Sequence, residues 1–272
     1  MQREVEPQKV SLHVERVEFD PESGIPVELQ REISAKVKRE GLEEDEDSDY
    51  LGEAAKEIAE VPVRAVLQNK GYFRVLTDAK ITVLKTDGLD IQVVAAVSAD
   101  LGSQYRVGKI GIEPADPDKV LSMHSQALKR ELRLREGEIL NVDRIRAALR
   151  NLTKIYGKFG FIDMTAEPEF AIDDTRKIVD VTLRIDEQKQ YYVRGVQFLG
   201  VDQKLEKKLR AEFPKSLWPF NPERLESFFK KNRGILPPDA SLGDDMETYR
   251  DTKNGELRII FDFRPCPGQV PE

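Results

Sequence analysis

Residues 105–112 read Tyr105-Arg106-Val107-Gly108-Lys109-Ile110-Gly111-Ile112. Apolar side chains alternate through Val107, miss a beat, then resume at Ile110 and Ile112. A strand buries every second residue, so a slip of one marks a bulge, where an extra residue restores the inward phase. The same spacing occurs at Leu12, Val14, Val17 and Phe19, and again at Tyr191, Val193, Val196 and Phe198. The copies lie 93 and then 86 residues apart. Three slips at matching places predict three copies of one structural unit.

The three copies also share a helical pattern immediately downstream of the strand. Leu29, Ile33 and Val37 recur at four-residue spacing, as do Val120, His124, Leu128 and Leu132, and then Leu205, Leu209 and Phe213. Such spacing places each set on one face of a helix. Capping residues announce a second helix: Asn141 before Val142, Ile145, Leu149, Leu152 and Tyr156, and Asn221 before Pro222, Leu225, Phe228 and Phe229. In the first copy Asp49 takes that place, ahead of Leu51, Ala55, Ile58, Val66 and Leu67. Pro62 interrupts that run and predicts a kink or break near Val61.

Each second helix should stop at a glycine, Gly71, Gly160 or Gly234, because glycine accepts the left-handed conformation that closes helices. Paired extended segments come next: Phe73 to Leu84 and Leu89 to Val97 around Thr86-Asp87-Gly88, then Phe161 to Ile172 and Ile178 to Ile185. In the third copy Lys253-Asn254-Gly255 precedes Leu257, Ile259, Phe261 and Phe263, while Pro237 to Arg250 alternates poorly and is its weakest element. The final strand of the first copy is apolar from Ile91 to Val97 except at Gln92, so it should be central. The unit is strand, helix, helix, strand, strand. The predicted fold is α+β, three tandem βααββ domains, each a three-stranded mixed sheet covered on one face by two helices. Their expected spans are 9–101, 104–188 and a divergent 190–265, with 266–272 as tail or linker. The short junctions Gly102-Ser103-Gln104 and Gln188-Lys189-Gln190 predict semi-rigid connections.

Composition limits the function classes. Of 272 residues 39% are hydrophobic and 34% charged, the balance of a folded, charged-surface chain. Forty-three basic against fifty acidic residues give a net charge of -7, which disfavours sequence-independent nucleic-acid binding. No apolar run is long enough for a transmembrane helix. Met1 to Gln8 lack the apolar core of a secretion signal. Cys266 is the single cysteine, so no intramolecular disulfide forms, and with only His13 and His124 a thiolate and imidazole metal centre cannot be assembled. No cofactor is expected.

These features resemble the polypeptide-transport-associated (POTRA) domain of the surface antigen family. The middle copy carries the resemblance most fully, in Tyr105-Arg-Val-Gly-Lys-Ile, the helix from Asn141 to Lys158, Tyr156-Gly-Lys-Phe-Gly-Phe, and Val179-Asp-Val-Thr-Leu-Arg-Ile-Asp-Glu. The resemblance implies a periplasmic, non-enzymatic array next to an outer membrane, as in barrel-assembly and translocation proteins. It implies extended or unfolded polypeptide clients and outer-membrane barrel and accessory assembly proteins as partners. It also places the second strand of each sheet at an edge and the third in the middle. Pro168 on the second copy's second strand agrees, since proline removes a ladder donor. Three modules leave no room for a membrane barrel, so the expectation is either part of a longer protein or a free-standing array.

An unpaired edge strand offers N–H and C=O groups with which an extended peptide can pair. The first copy has the least obstructed edge. Val75, Thr77, Ala79, Ile81 and Val83 should face inward there, and Arg74, Leu76, Asp78, Lys80, Thr82 and Leu84 form the candidate partner-binding set. Pro168 blunts the second copy, and the third shows little regular edge. Two other readings compete with client handling: a structural array joining envelope complexes, and an enzyme on a repeat scaffold.

Other motifs point nowhere specific. Asp45, Asp47 and Asp49 open a calcium-loop pattern, but Tyr50 stands at its glycine position and Lys56 at its glutamate position, so Glu43 to Asp49 reads as a solvated loop between helices. His124, in phase with the buried face, reads as a core or boundary residue. Gly108 and Gly111 lack the rest of a phosphate loop. Trp218, with Phe220, Phe228 and Phe229, reads as the core of the small third module ahead of a partner patch.

Overall fold

In the computed structural model, which describes residues 9–45, 49–214 and 217–264, the slip at the first repeat is a bulge. Strand β1 (Lys9–Phe19) runs parallel to β4 (Asp90–Asp100), pairing Val14 with Val93 and then Arg16 with Val94, so Glu15 is the extra residue. The third repeat repeats the device: β8 (Tyr192–Leu199) runs parallel to β11 (Glu256–Asp262), pairing Val193 with Leu257 and then Gly195 with Arg258. In both, the inward phase resumes two residues after the extra one, so Val14 and Val17 face the first core and Val193 and Val196 the third.

Around these strands the first repeat adds α1 (Val27–Glu40), β2 (Leu42–Asp45), α2 (Tyr50–Ile58), α3 (Arg64–Gln68) and β3 (Leu76–Asp87). The second comprises β5 (Arg106–Pro114), α4 (Ser125–Glu131), α5 (Val142–Gly157), β6 (Thr165–Asp173) and β7 (Ile178–Asp186). After β8 the third has α6 (Gln203–Glu212), β9 (Trp218–Pro219), α7 (Pro222–Asn232) and β10 (Met246–Asp251). Three separate sheets result, ordered β2-β1-β4-β3, β5-β7-β6 and β10-β11-β8-β9. The last strand of each βααββ unit is internal and the one before it an edge, as the resemblance implied. The chain divides into two compact units, Met1–Gly111 with Leu134–Arg146 and Phe170–Val181, and Ile112–Arg133 with Ala147–Glu169 and Thr182–Glu272.

The first core forms where helical and strand periodicities coincide. Leu29, Ile33 and Val37 of α1 and Ala54, Ile58, Val66 and Leu67 of the second helical run pack with Leu12, Ile91, Val93, Ala95 and Val97. In the third core, Phe198, Phe213, Phe228, Phe229 and Phe261 gather with Leu209, Leu225 and Trp218. Phe198 and Phe261 stack with centroids 5.3 Å apart. Trp218 is buried there, as expected of a core residue.

Several expectations change. Glu43 to Asp45 are not a loop: with Leu42 they form β2, antiparallel to β1, because Leu42 anchors the strand in the core and β1 has an open side to pair. Residues 46–48, and with them Asp47, lie outside the described residues, as do Met1 to Gln8, Cys266 and the 266–272 tail. β2 and β9 extend the first and third sheets to four strands. Pro62 does not break its helix; a π-helical turn, Ala59–Val63, absorbs it. The helix expected from Val120 begins only at Ser125, since His124 is an extended N-cap residue (ψ 121°). Val120 is 91% exposed and His124 is exposed, so neither joins a core. Gly71 and Gly160 adopt left-handed φ of 86° and 87°, whereas Gly234 does not, and α7 ends on a right-handed Arg233. Finally, the weak segment before Lys253 contains β10, a regular edge of six residues antiparallel to β11.

Candidate functional site

Strand β3 is twelve residues long and, among the described residues, pairs only with β4, from Leu76 opposite Asp100 to Asp87 opposite Asp90. Its inner residues hold it down. Val75 and Ala79 are buried, and Ile81 packs on the core. Thr77 Oγ1 donates to the Ala59 carbonyl at 3.0 Å, so the π-helical turn supplies an acceptor that ties the strand to the helix beneath. The side chains of Leu76, Asp78, Lys80, Thr82 and Leu84 are exposed, with Leu76 at 67% and Leu84 at 55%. A register shift between Val83 and Lys85 leaves Leu84 as an extra residue, and Val83 beside it is itself exposed. Thus five of the six anticipated positions lie along one open edge.

Arg74 does not. It precedes β3 by two residues, and its Nη1 lies 3.0 Å from Asp174 Oδ2 in the turn between β6 and β7. That pair belongs to a joint between the first and second repeats. Tyr105 N–H donates to the Gly71 carbonyl at 2.8 Å, Leu140 N–H donates to the Tyr105 carbonyl at 3.0 Å, and Gln104 Nε2 donates to the Lys70 carbonyl at 2.7 Å. The Tyr105 hydroxyl donates to Asp174, and Phe73 meets Phe170 at 5.1 Å. Asn69 accepts from the Asp143 amide at 2.9 Å at the start of α5.

The junction of the second and third repeats reproduces the hydrogen-bonded frame of this joint. Tyr191 N–H donates to the Gly160 carbonyl (2.9 Å), Phe220 N–H to the Tyr191 carbonyl (2.9 Å), and Gln190 Nε2 to the Phe159 carbonyl (2.8 Å). Lys158 pairs with Glu223 at 2.7 Å, where the first joint has Asn69 and Asp143. Asp163 neighbours the Tyr191 hydroxyl and lies 2.6 Å from Arg250 Nη1. The hydrogen bond to Asp174 raises the Tyr105 hydroxyl above the ordinary tyrosine value, with burial adding to it; for Tyr191 burial comes first and Asp163 second. Sequence reading found the short junctions but missed the joints. The available signal was the dipeptide Gln-Tyr at 104–105 and at 190–191, each following a helix that ends in a left-handed glycine.

Among the described residues no group of three or more histidine, cysteine, aspartate or glutamate side chains could hold a metal ion. A cleft beside α6 and α7, lined by Glu212, Asn221, Arg224 and Lys231, holds one carboxyl with a shifted titration. The Lys231 ammonium holds Glu212 below its usual range, which makes it an ion-paired surface acid and a poor proton donor near neutral pH. No helix among the described residues is long and apolar enough to cross a membrane.

Residues 105–188 match the POTRA family model, described as surface antigen variable number repeat. Over 133 residues the chain is 25% identical to outer membrane protein assembly factor BamA of Neorickettsia risticii, a stretch covering 49% of this chain and 17% of that protein. A crystal structure of Haemophilus influenzae BamA POTRA3-5 matches with a TM-score of 0.58 at 16% identity, over 94% of this chain and 97% of that one. At that identity the likeness establishes the fold.

Proposed function

This chain is a tandem array of POTRA folds, and on that premise we propose that it is a polypeptide-binding scaffold for outer-membrane protein assembly or translocation, placed in the periplasm. Its modules are assigned to 9–101, 104–188 and 190–265. Extended segments of clients or assembly partners add to the first sheet along β3, through main-chain hydrogen bonds that make little demand on sequence. The observation carrying this reading is the edge itself, twelve residues long, paired on one side and free of proline. The corresponding edges of the other two sheets are weaker templates. β6 has nine residues and contains Pro168, and β10 has six. Support for the setting comes from the assembly-factor relative and the family model of the middle module.

Neighbouring residues of an edge strand send their N–H groups alternately to the partner strand and outward. Ile81→Pro and Thr82→Pro therefore separate damage to the ladder from damage to the open edge. The test is fluorescence anisotropy with a labelled ten-residue peptide of alternating apolar and polar residues, with circular dichroism to verify folding. The variant that stays folded is expected to bind about tenfold more weakly, the equivalent of about one lost pair of main-chain hydrogen bonds. Peptide binding unchanged in both folded variants would reject this edge. An absence of binding by the parent chain would favour a purely structural array.

A further inference from the structure

The two joints share their backbone hydrogen bonds but not the sign of their charges. Three residues after the left-handed glycine, the first repeat carries a base, Arg74, and the second an acid, Asp163. Each faces the hairpin of the following repeat, which supplies the opposite charge: Asp174 to Arg74 at 3.0 Å and Arg250 to Asp163 at 2.6 Å. The tyrosine hydroxyl follows the acid wherever it sits. Tyr105 donates across the joint to the hairpin's Asp174, whereas the acid neighbouring the Tyr191 hydroxyl is Asp163 on the glycine side. The polarity of the joint is thus inverted while its frame is kept.

We propose that this inversion makes each docking surface accept only its own neighbour. The frame alone cannot discriminate, because its hydrogen bonds come from backbone groups and a glutamine common to both joints. Charge can. If the first repeat met the hairpin of the third, Arg74 would face Arg250. If the second met the hairpin of another copy of itself, Asp163 would face Asp174. Both mismatches bring like charges together and leave a tyrosine hydroxyl or a carboxylate without its correct partner, a repulsive element of the kind that sets specificity between similar surfaces. The partner these surfaces fit is the next module of the same chain. Skipped-module docking, and docking of second repeats on one another between chains, are the states disfavoured.

Hydrogen exchange in the full chain reads each joint directly, since the Tyr105 amide bonds to Gly71 and the Tyr191 amide to Gly160. Arg74→Asp and Asp174→Arg each place like charges at the first joint. Each is expected to speed exchange of the Tyr105 amide about fivefold, the order set by one exposed charge pair, and to leave the Tyr191 amide unchanged. The double variant Arg74→Asp with Asp174→Arg gives the first joint the polarity of the second, with an acid again within reach of Tyr105, and should return exchange to the parent rate. Both pairs are half-exposed, so the fold itself is not at stake. Asp163→Arg with Arg250→Asp gives the mirror experiment, read at Tyr191. Single variants with parent-like exchange, or a double variant no slower than the singles, would overturn the proposal.

Discussion

Gly71 and Tyr105 meet backbone to backbone: the Tyr105 amide bonds to the Gly71 carbonyl, and a Cβ on Gly71 would stand 2.7 Å from the Tyr105 carbonyl oxygen. Gly160 and Tyr191 stand in the same relation, with 2.5 Å to the Tyr191 oxygen. The residue must be glycine for two independent reasons, its φ of 86° and the closeness of the following repeat. Gly71→Ala should therefore cost more than about 2 kcal/mol in denaturant unfolding. Gly88→Ala, at φ 63° with open space around it, carries only the left-handed penalty of about 1 kcal/mol. Equal costs would mean that the joint contributes nothing.

Phe261 is fully buried and touches Phe198, Phe229 and Phe263. Phe261→Ala should destabilise the chain by about 3–5 kcal/mol, the loss expected when a buried aromatic side chain leaves a cavity. Phe159 is 51% exposed and contributes its carbonyl to the second joint, which alanine keeps. Phe159→Ala should stay within about 0.5 kcal/mol of the parent in thermal unfolding.

Asn221 and Asn141 both cap a second helix, accepting from Glu223 N–H and Arg144 N–H respectively at 2.9 Å. Asn141 also donates through Nδ2 to the Asn69 carbonyl of the preceding repeat. Asn221→Ala should cost about 1 kcal/mol, a lost cap. Asn141→Ala should cost about 1 kcal/mol more, and Asn141→Asp, which keeps the acceptor and loses the donor, should fall between. Unfolding curves for the three variants give the ranking.

Alkali should loosen the chain through its tyrosines. Tyr105 is raised by its bond to Asp174, Tyr156 by burial, and Tyr191 by burial and then Asp163. A raised folded-state value means that the unfolded chain releases the proton first. The stabilisation is whole below about 10, the ordinary tyrosine value, and is lost as pH climbs from there through the folded values. Ultraviolet absorbance should show these hydroxyls ionising later than free tyrosine, with unfolding midpoints falling over the same pH interval. Midpoints that stay flat above pH 10 would contradict this assignment.

Much of the fold was legible because it repeats. The bulges at Glu15 and Arg194 follow from the slipped alternation, and the internal last strand follows from the apolar run Ile91 to Val97. The outward side of β3 was readable to within one residue, because alternation along a strand is local. Arg74 escaped because nothing nearby in sequence shows that Asp174, a hundred residues on, will be its neighbour. β2 escaped for a similar reason: Glu43, Glu44 and Asp45 have no strand preference, and the open side of β1 recruits them. His124 and Val120 were misplaced by extending a helical period upstream into chain that is not helical.

Sequence by itself determined the repeated unit, its bulges, the caps Asn141 and Asn221 and the closing glycines Gly71 and Gly160, since these depend on the geometry of adjacent residues and on which face they bury. Tertiary structure alone decided the joints, where Gly71 finds Tyr105 and Asp163 finds Arg250. Contacts between residues far apart in the chain leave no local period to read, and the sign of a charge acquires meaning only when its neighbour is known.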